Sequence, residues 1–93
     1  MDVPSKLAKL YSDEQTKIIE QLIEQHKTLL ELCYRHNKGL FETGLRSYIL
    51  DWEEWAWTAV GCTYQRMQDR HIPLESFASE LQKVIWPYCF KEG

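Results

Sequence analysis

The chain has 93 residues, of which 44% are hydrophobic, 13% aromatic and 27% charged, and its formal net charge is −3. This length fits one domain, 1–93, and the composition is that of a folded globular chain rather than a disordered one. The weak negative charge and the absence of a basic block disfavour a nucleic-acid binder, and no apolar run approaches the roughly 20 residues of a membrane-spanning helix.

Two helices are predicted in the first part of the chain. Pro4 favours a short helix over residues 4–10, because proline fits the first helical turn. Ser12 and Gln15 have the spacing of a capping box, which predicts a long helix beginning at Asp13 and ending near His36. Its apolar stripe, at three- and four-residue steps, consists of Ile19, Leu22, His26, Leu29 and Cys33.

Residues 45–67 hold three of the four tryptophans and predict a second long helix, capped by Thr43 and ending near Arg70. At about 100° per residue, its apolar side chains fall on two faces. The main face holds Leu45, Tyr48, Ile49, Trp52, Trp55, Ala56, Ala59, Thr63 and Met67. The second seam consists of Leu50, Trp57 and Tyr64. Such a helix is either central in a bundle or shared with a partner.

A third helix is predicted over residues 74–85, between Pro73 and Pro87. No alternating strand pattern competes with these helices. The fold class is therefore predicted as all-α: a small antiparallel bundle of three main helices, packed up-down-up, plus the short N-terminal helix.

The three cysteines, Cys33, Cys62 and Cys89, are an odd number at wide spacing, which predicts free thiols in a reducing cytoplasm. Cys33 and His36 have the spacing of half a zinc site, but the other half is missing as a motif, and convergence of Cys62, His71 and Cys89 is the alternative left open. We therefore expect Cys33 and Cys62 to be small buried hydrophobic residues. No metal and no cofactor is expected.

No catalytic motif is present, and the protein is expected not to be an enzyme. His26 lies within the apolar stripe, where a histidine at the edge of the core is the expected role. The carboxylate pairs at helical spacing, Glu20 with Glu24 and Asp51 with Glu54, are expected on solvated faces. No phosphate-binding loop and no signature of a reactive cysteine accompanies them.

Trp52 and Trp55, next to two glutamates, are the ingredients of an aromatic cage for a cation. Trp57 lies about 140° round the helix from Trp52, so the three indoles cannot enclose one ligand. We therefore assign Trp52 and Trp55 to the core and Trp57 to an interface.

Residues 3–10, VPSKLAKL, resemble the start of some nodavirus RNA-silencing suppressors, which are helical dimers that clasp double-stranded RNA. The resemblance implies a helical nucleic-acid binder. Such proteins meet phosphates with rows of basic side chains, whereas the basic residues of the first long helix alternate with Glu20, Glu24 and Glu31. Binding of double-stranded RNA or DNA is therefore kept as the alternative function, and no family is assigned.

By elimination, the sequence predicts a small cytoplasmic regulatory or inhibitory protein that binds another protein through its aromatic-rich central helix. The predicted partner-binding residues are Leu50, Glu53, Glu54, Trp57 and Tyr64. A homodimer is also expected, with two antiparallel central helices that cover the second seam of each copy.

Overall fold

The computed structural model describes residues 10–43 and 46–89, which form four α-helices and a two-stranded antiparallel sheet. The helices are α1 (Asp13–Gln25), α2 (Lys27–Asn37), α3 (Trp52–Asp69) and α4 (Phe77–Cys89), and the strands β1 (Leu40–Thr43) and β2 (Arg46–Ile49) lie between α2 and α3. The predominantly helical class is confirmed. The helix predicted over residues 4–10 lies, apart from Leu10, outside the described residues. None of the helices described is long and apolar enough to span a membrane.

Helix α1 begins where its capping box predicts. The Ser12 hydroxyl accepts a hydrogen bond from the backbone N–H of Gln15 at 3.2 Å, and the Gln15 side-chain oxygen accepts one from the Ser12 N–H at 3.0 Å. Ile19, Leu22 and Ile23 are buried along its length. The predicted start of the helix and this part of its stripe are confirmed.

A break at His26 divides the predicted long helix into α1 and α2. The backbone N–H of His26 is shared between the carbonyls of Leu22 at 3.1 Å and Ile23 at 3.3 Å. Its ring Nδ1 lies 2.8 Å from the same Leu22 carbonyl, so this nitrogen carries a proton and donates. The ring packs against Phe77, with the centroids 5.0 Å apart. The apolar stripe continues across the break, which is why periodicity predicted a single helix.

We expect His26→Gln to lower the free energy of unfolding by about 1–2 kcal/mol, because glutamine keeps a donor but loses the ring contact with Phe77. Urea unfolding of both proteins measures the difference. Gln25→Ala, at the exposed neighbouring position, is the control and should stay within about 0.5 kcal/mol of wild type. An unchanged stability in His26→Gln would mean that the ring does not hold α1 against α4.

A β-hairpin occupies the segment predicted as a short connection and the first turns of the Trp-rich helix. Lys38 and Gly39 adopt left-handed backbone conformations, with φ of 58° and 77°, and end α2. A Cβ at position 39 would lie 2.5 Å from the Leu50 carbonyl oxygen, so this turn requires glycine. The strands then pair with Leu40 opposite Ile49 and Thr43 opposite Arg46.

The predicted helix start at Leu45, with Thr43 as its cap, is therefore wrong. The helix begins instead after Asp51, whose carboxylate accepts a hydrogen bond from the Glu54 N–H at 2.9 Å. Residues 46–49 fit either structure, because their apolar side chains also have helical spacing. Aromatic and β-branched residues favour an extended chain, and pairing with β1 decides the outcome.

Helix α3 is the centre of the fold, and α1, α2 and α4 all pack against it. Its buried residues are Trp55, Ala56, Trp57, Ala59, Val60, Gly61, Thr63, Tyr64 and Met67. The chain leaves α3 through His71, which has a φ of 56°, and a 3₁₀ turn, Leu74–Ser76. Helix α4 then runs through Pro87, past the predicted end at residue 85. The antiparallel up-down-up bundle of three main helices is not confirmed by the described residues, which form four helices and a hairpin.

Candidate functional site

Most of the second seam is buried within the chain itself. Trp57 is fully buried, Tyr64 is 4% exposed, and Leu50 is partly buried against the core. Three helices pack against α3 rather than the predicted two, and they cover apolar surface that a smaller bundle leaves open. The prediction that Trp57 and Tyr64 lie on an open partner-binding surface is therefore wrong, and a homodimer through the central helices has no exposed seam to use.

Glu53 and Glu54 are the predicted binding residues that reach the surface most clearly. Glu53 is exposed and Glu54 half-buried, both in the first turn of α3. Acidic side chains stabilise a helix at this end, where unpaired N–H groups carry partial positive charge. This structural role accounts for them without a ligand.

An aromatic cluster of Tyr34, Trp52 and Trp55 joins the base of the hairpin to α3. The two indoles stack with centroids 6.4 Å apart, and Tyr34 meets them edge-on at 5.7 and 5.8 Å. The Tyr34 hydroxyl donates to the Leu50 carbonyl at 3.0 Å, and the Trp55 N–H donates to the Leu40 carbonyl at 3.4 Å. Because Trp55 is fully buried, this cluster anchors the hairpin and is not an open cage for a cation. The assignment of Trp55 to the core is confirmed.

The cysteines differ from the prediction of free thiols. Cys33 is fully buried, as expected, but it is disulfide-bonded, and its sulfur lies 3.7 Å from the Ile85 carbonyl oxygen at the contact between α2 and α4. Cys62 is free and exposed rather than buried. The expectation that both are small buried hydrophobic residues is therefore wrong.

Cys62 lies beside Tyr11, whose hydroxyl packs so closely over Gly61 that a Cβ there would meet it at 2.5 Å. Desolvation by the surrounding atoms raises the pKa of the Cys62 thiol. Desolvation also raises the pKa of Tyr11, and the neighbouring Cys62 adds to this shift. A raised pKa keeps the thiol protonated and poorly nucleophilic, so this pair does not form an activated nucleophile.

Other reactive side chains are dispersed. Within residues 10–43 and 46–89, no three His, Cys, Asp or Glu side chains are grouped so that they could hold a metal ion. An open depression on the outer face of α1 is lined by Glu20, Gln21, Glu24 and Gln25. It contains one of the predicted carboxylate pairs but no histidine or thiol, and it resembles a solvated helix face more than a catalytic pocket.

The chain matches no protein-family model, no curated protein and no solved structure. The proposed function therefore rests on the side chains that are exposed to solvent.

Two exposed apolar side chains flank the contact between α2 and α4. Leu32 precedes Cys33 and is 59% exposed, and Trp86 follows Ile85 and is 55% exposed. Tyr34 faces α3, where its ring contacts Trp52. Leu32 lies about 200° round α2 from Tyr34, and so the Leu32 side chain faces away from α3. We call these two residues, which are the sequence neighbours of the contacting residues Cys33 and Ile85, the Leu32/Trp86 patch. We did not predict this patch from the sequence, although Leu32 lies outside the stripe of its helix and Trp86 beyond the predicted end of the last helix.

The hairpin also exposes apolar side chains. Ile49 is 83% exposed and Tyr48 is 44% exposed, although neighbouring residues of a strand point to opposite faces of a sheet. Both faces of β2 are therefore open to solvent. These residues were predicted for the core face of the long helix, and that prediction is wrong because they belong to the hairpin.

Proposed function

We propose that the chain is a small, non-enzymatic regulatory or inhibitory protein that acts by binding another protein. The Leu32/Trp86 patch carries this proposal, because both side chains leave more than half of their surface in water. Exposed apolar patches with a polar rim mark interaction sites, and tryptophan is enriched among residues that dominate binding energy.

The surroundings of the patch indicate the chemistry of the partner. Arg35 and His36 lie one turn along α2 from Leu32 and are exposed, and Lys83 lies one turn before Trp86 on α4. The Lys83 ammonium contacts Glu80 at 3.1 Å and keeps most of its surface in solvent. A partner with an apolar side chain flanked by carboxylates complements this arrangement.

The aromatic-rich central helix has a different part in this proposal from the one predicted. Its indoles at Trp55 and Trp57 form the core against which α2 and α4 pack. They hold the two helices that present Leu32 and Trp86. The proposed binding surface thus moves from the second seam to the outer side of the contact between α2 and α4.

The compartment is part of the proposal as well. Stable disulfides are rare in a reducing cytosol, so the disulfide at Cys33 favours an oxidising compartment over the predicted cytoplasm. Alkylation of free thiols in intact cells, before lysis, measures how much Cys33 is oxidised. A fully reduced Cys33 in the cell would restore the cytoplasmic prediction.

We expect Trp86→Ala to weaken binding of the partner by at least about tenfold, which corresponds to about 1.4 kcal/mol. The test is affinity capture from the source cells, with the bound proteins quantified by mass spectrometry for wild type and variant. Leu74→Ala is a matched control, because Leu74 is exposed but lies in the 3₁₀ turn outside the patch.

Capture of the same partner at wild-type levels by Trp86→Ala, with the helical circular dichroism spectrum retained, would contradict the proposed surface. Salt-dependent retention of duplex RNA or DNA, in place of a protein, would instead support the alternative function.

A further inference from the structure

The disulfide at Cys33 has one possible partner. The sequence contains three cysteines, and the structure contains one copy of the chain. Cys33 is disulfide-bonded and Cys62 is free, so Cys89 is the cysteine that remains for the bond. The backbone agrees with this pairing. The Cys33 sulfur lies 3.7 Å from the Ile85 carbonyl oxygen, and Cys89 follows Ile85 by one helical turn on the same face of α4.

The last turn of α4 continues past a residue that usually ends a helix. The helix ends at Cys89, and Pro87 lies two residues before that end. Proline has no backbone N–H, and its ring crowds the carbonyl group four residues earlier, which here belongs to Lys83. The residue before a proline disfavours helical angles, and this residue is Trp86. Residues 86–89 are therefore helical against the preference of their own sequence.

The disulfide fastens this last turn to a fixed point on α2. Cys33 is fully buried, and the Asn37 side-chain amide donates to its sulfur at 3.7 Å. A bond from this site to the last residue of α4 restricts the unwinding of the turn, because a cross-link removes conformations from the open chain. The disulfide thus explains why the helix passes Pro87.

The earlier part of α4 is held by a different interaction. Phe77, Leu81 and Ile85 are buried in the core, one at each turn of the helix. Hydrophobic burial stabilises this part whether or not the disulfide is present. Leu32 belongs to α2 and does not depend on the last turn of α4. Breaking the disulfide therefore releases residues 86–89 and leaves the rest of the fold in place.

We propose that the disulfide between Cys33 and Cys89 is a redox switch for the Leu32/Trp86 patch. In the oxidised chain, the last turn of α4 is held to α2 and Trp86 completes the patch. In the reduced chain, the turn unwinds at Pro87 and Trp86 leaves the patch. This inference rests on the proposed function of the patch, and it adds that the partner binds the oxidised chain.

A dithiol is the class of reductant that operates this switch. The dithiol supplies two electrons and two protons, the S–S bond between Cys33 and Cys89 breaks, and both sulfurs become thiols. The dithiol itself is oxidised to a disulfide. Cys62 is a poor competitor in this exchange, because desolvation raises the pKa of its thiol and the thiolate is the attacking species.

Two measurements on the purified chain test the switch without a partner. Mass spectrometry of the unreduced, proteolysed chain should recover a peptide in which Cys33 is linked to Cys89. Amide hydrogen exchange is then compared with and without a dithiol. We expect residues 86–89 to exchange at least about tenfold faster in the reduced chain, while the amides of α3 keep their protection.

Three variants test the effect on binding, with the protein that the oxidised wild-type chain captures from the source cells as the probe. Cys89→Ser leaves the buried site of Cys33 unchanged, and it should weaken capture by at least about tenfold and abolish the response to a dithiol. Cys62→Ser is the matched control and should respond as wild type does. Pro87→Ala restores a helix-forming residue, so this variant should still capture the protein after reduction.

Several results would overturn the switch: a Cys33 linked to a different cysteine, a last turn that keeps its protection after reduction, or reduction that unfolds α3 together with α4. Equal capture by Cys89→Ser and wild type would overturn redox control and leave the binding surface in place. A chain that captures no protein in either redox state overturns the proposed function instead, and the hydrogen exchange of residues 86–89 still decides the switch.

Discussion

Trp57→Ala is expected to lower the free energy of unfolding by about 3–5 kcal/mol, the usual cost of removing a large aromatic side chain from a core. Trp57 is fully buried on α3, the helix against which α1, α2 and α4 all pack. Guanidinium unfolding, followed by circular dichroism, measures the loss. At this size of effect, the variant loses a large fraction of the stability of a small domain.

Trp57→Phe is the informative control. The indole nitrogen of Trp57 is buried without a hydrogen-bond partner, and an unsatisfied buried donor is itself unfavourable. Phenylalanine removes this donor and keeps most of the ring, so its loss of stability should be much smaller than that of alanine. If Trp57→Ala retains wild-type stability and loses only self-association, the side chain belongs to an interface, as the sequence first indicated.

Cys33→Ser is expected to lower the free energy of unfolding by about 2–5 kcal/mol, the typical effect of removing a native disulfide from a small domain. Cys33 is fully buried where α2 meets α4, 3.7 Å from the Ile85 carbonyl oxygen. Serine loses the cross-link and also places a hydroxyl in this buried site. Thermal unfolding with and without a reducing agent measures the same effect on the wild-type chain.

Cys62→Ser provides the matched comparison, because Cys62 is free and exposed. It should change stability by less than about 0.5 kcal/mol and respond to reduction as wild type does. An identical melting temperature for the wild-type chain with and without reductant would show that the disulfide at Cys33 does not stabilise the fold.

Local signals predicted the helices well where one residue pair decides the outcome. The capping box of Ser12 and Gln15 fixed the start of α1, and apolar periodicity located the buried residues of α1 and the later part of α3. These signals depend on neighbours three or four residues apart, which a sequence shows directly.

The same signals failed where contacts between distant residues decide. Tyr48 and Ile49 fit the main face of a helix, yet β1 pairs with them and leaves them exposed. At the break, the His26 ring packs against Phe77, which is far away along the chain. The break at His26 leaves the spacing of the apolar residues unchanged, so the periodicity of the sequence does not reveal it.

The candidate site was predicted least well, because exposure depends on the number of helices that cover α3. Trp57 and Tyr64 are ordinary core residues once α1, α2 and α4 all pack on that helix. Leu32 and Trp86 lie outside the buried stripes. In the sequence, their exposure is indicated only by the presence of an apolar residue at a position outside such a stripe. The disulfide at Cys33 was missed because the spacing of cysteines does not reveal which ones meet in the fold.

The aromatic cluster at the base of the hairpin also affects the order in which the chain folds. The hydrogen bonds from Tyr34 to Leu50 and from Trp55 to Leu40 join residues only 16 and 15 positions apart, whereas Cys33 and Ile85 are 52 positions apart. Closing a short loop costs less chain entropy than closing a long one, and contacts of low sequence separation favour rapid folding. We therefore expect the hairpin, with the end of α2 and the start of α3, to form early as a local unit and α4 to dock on it later.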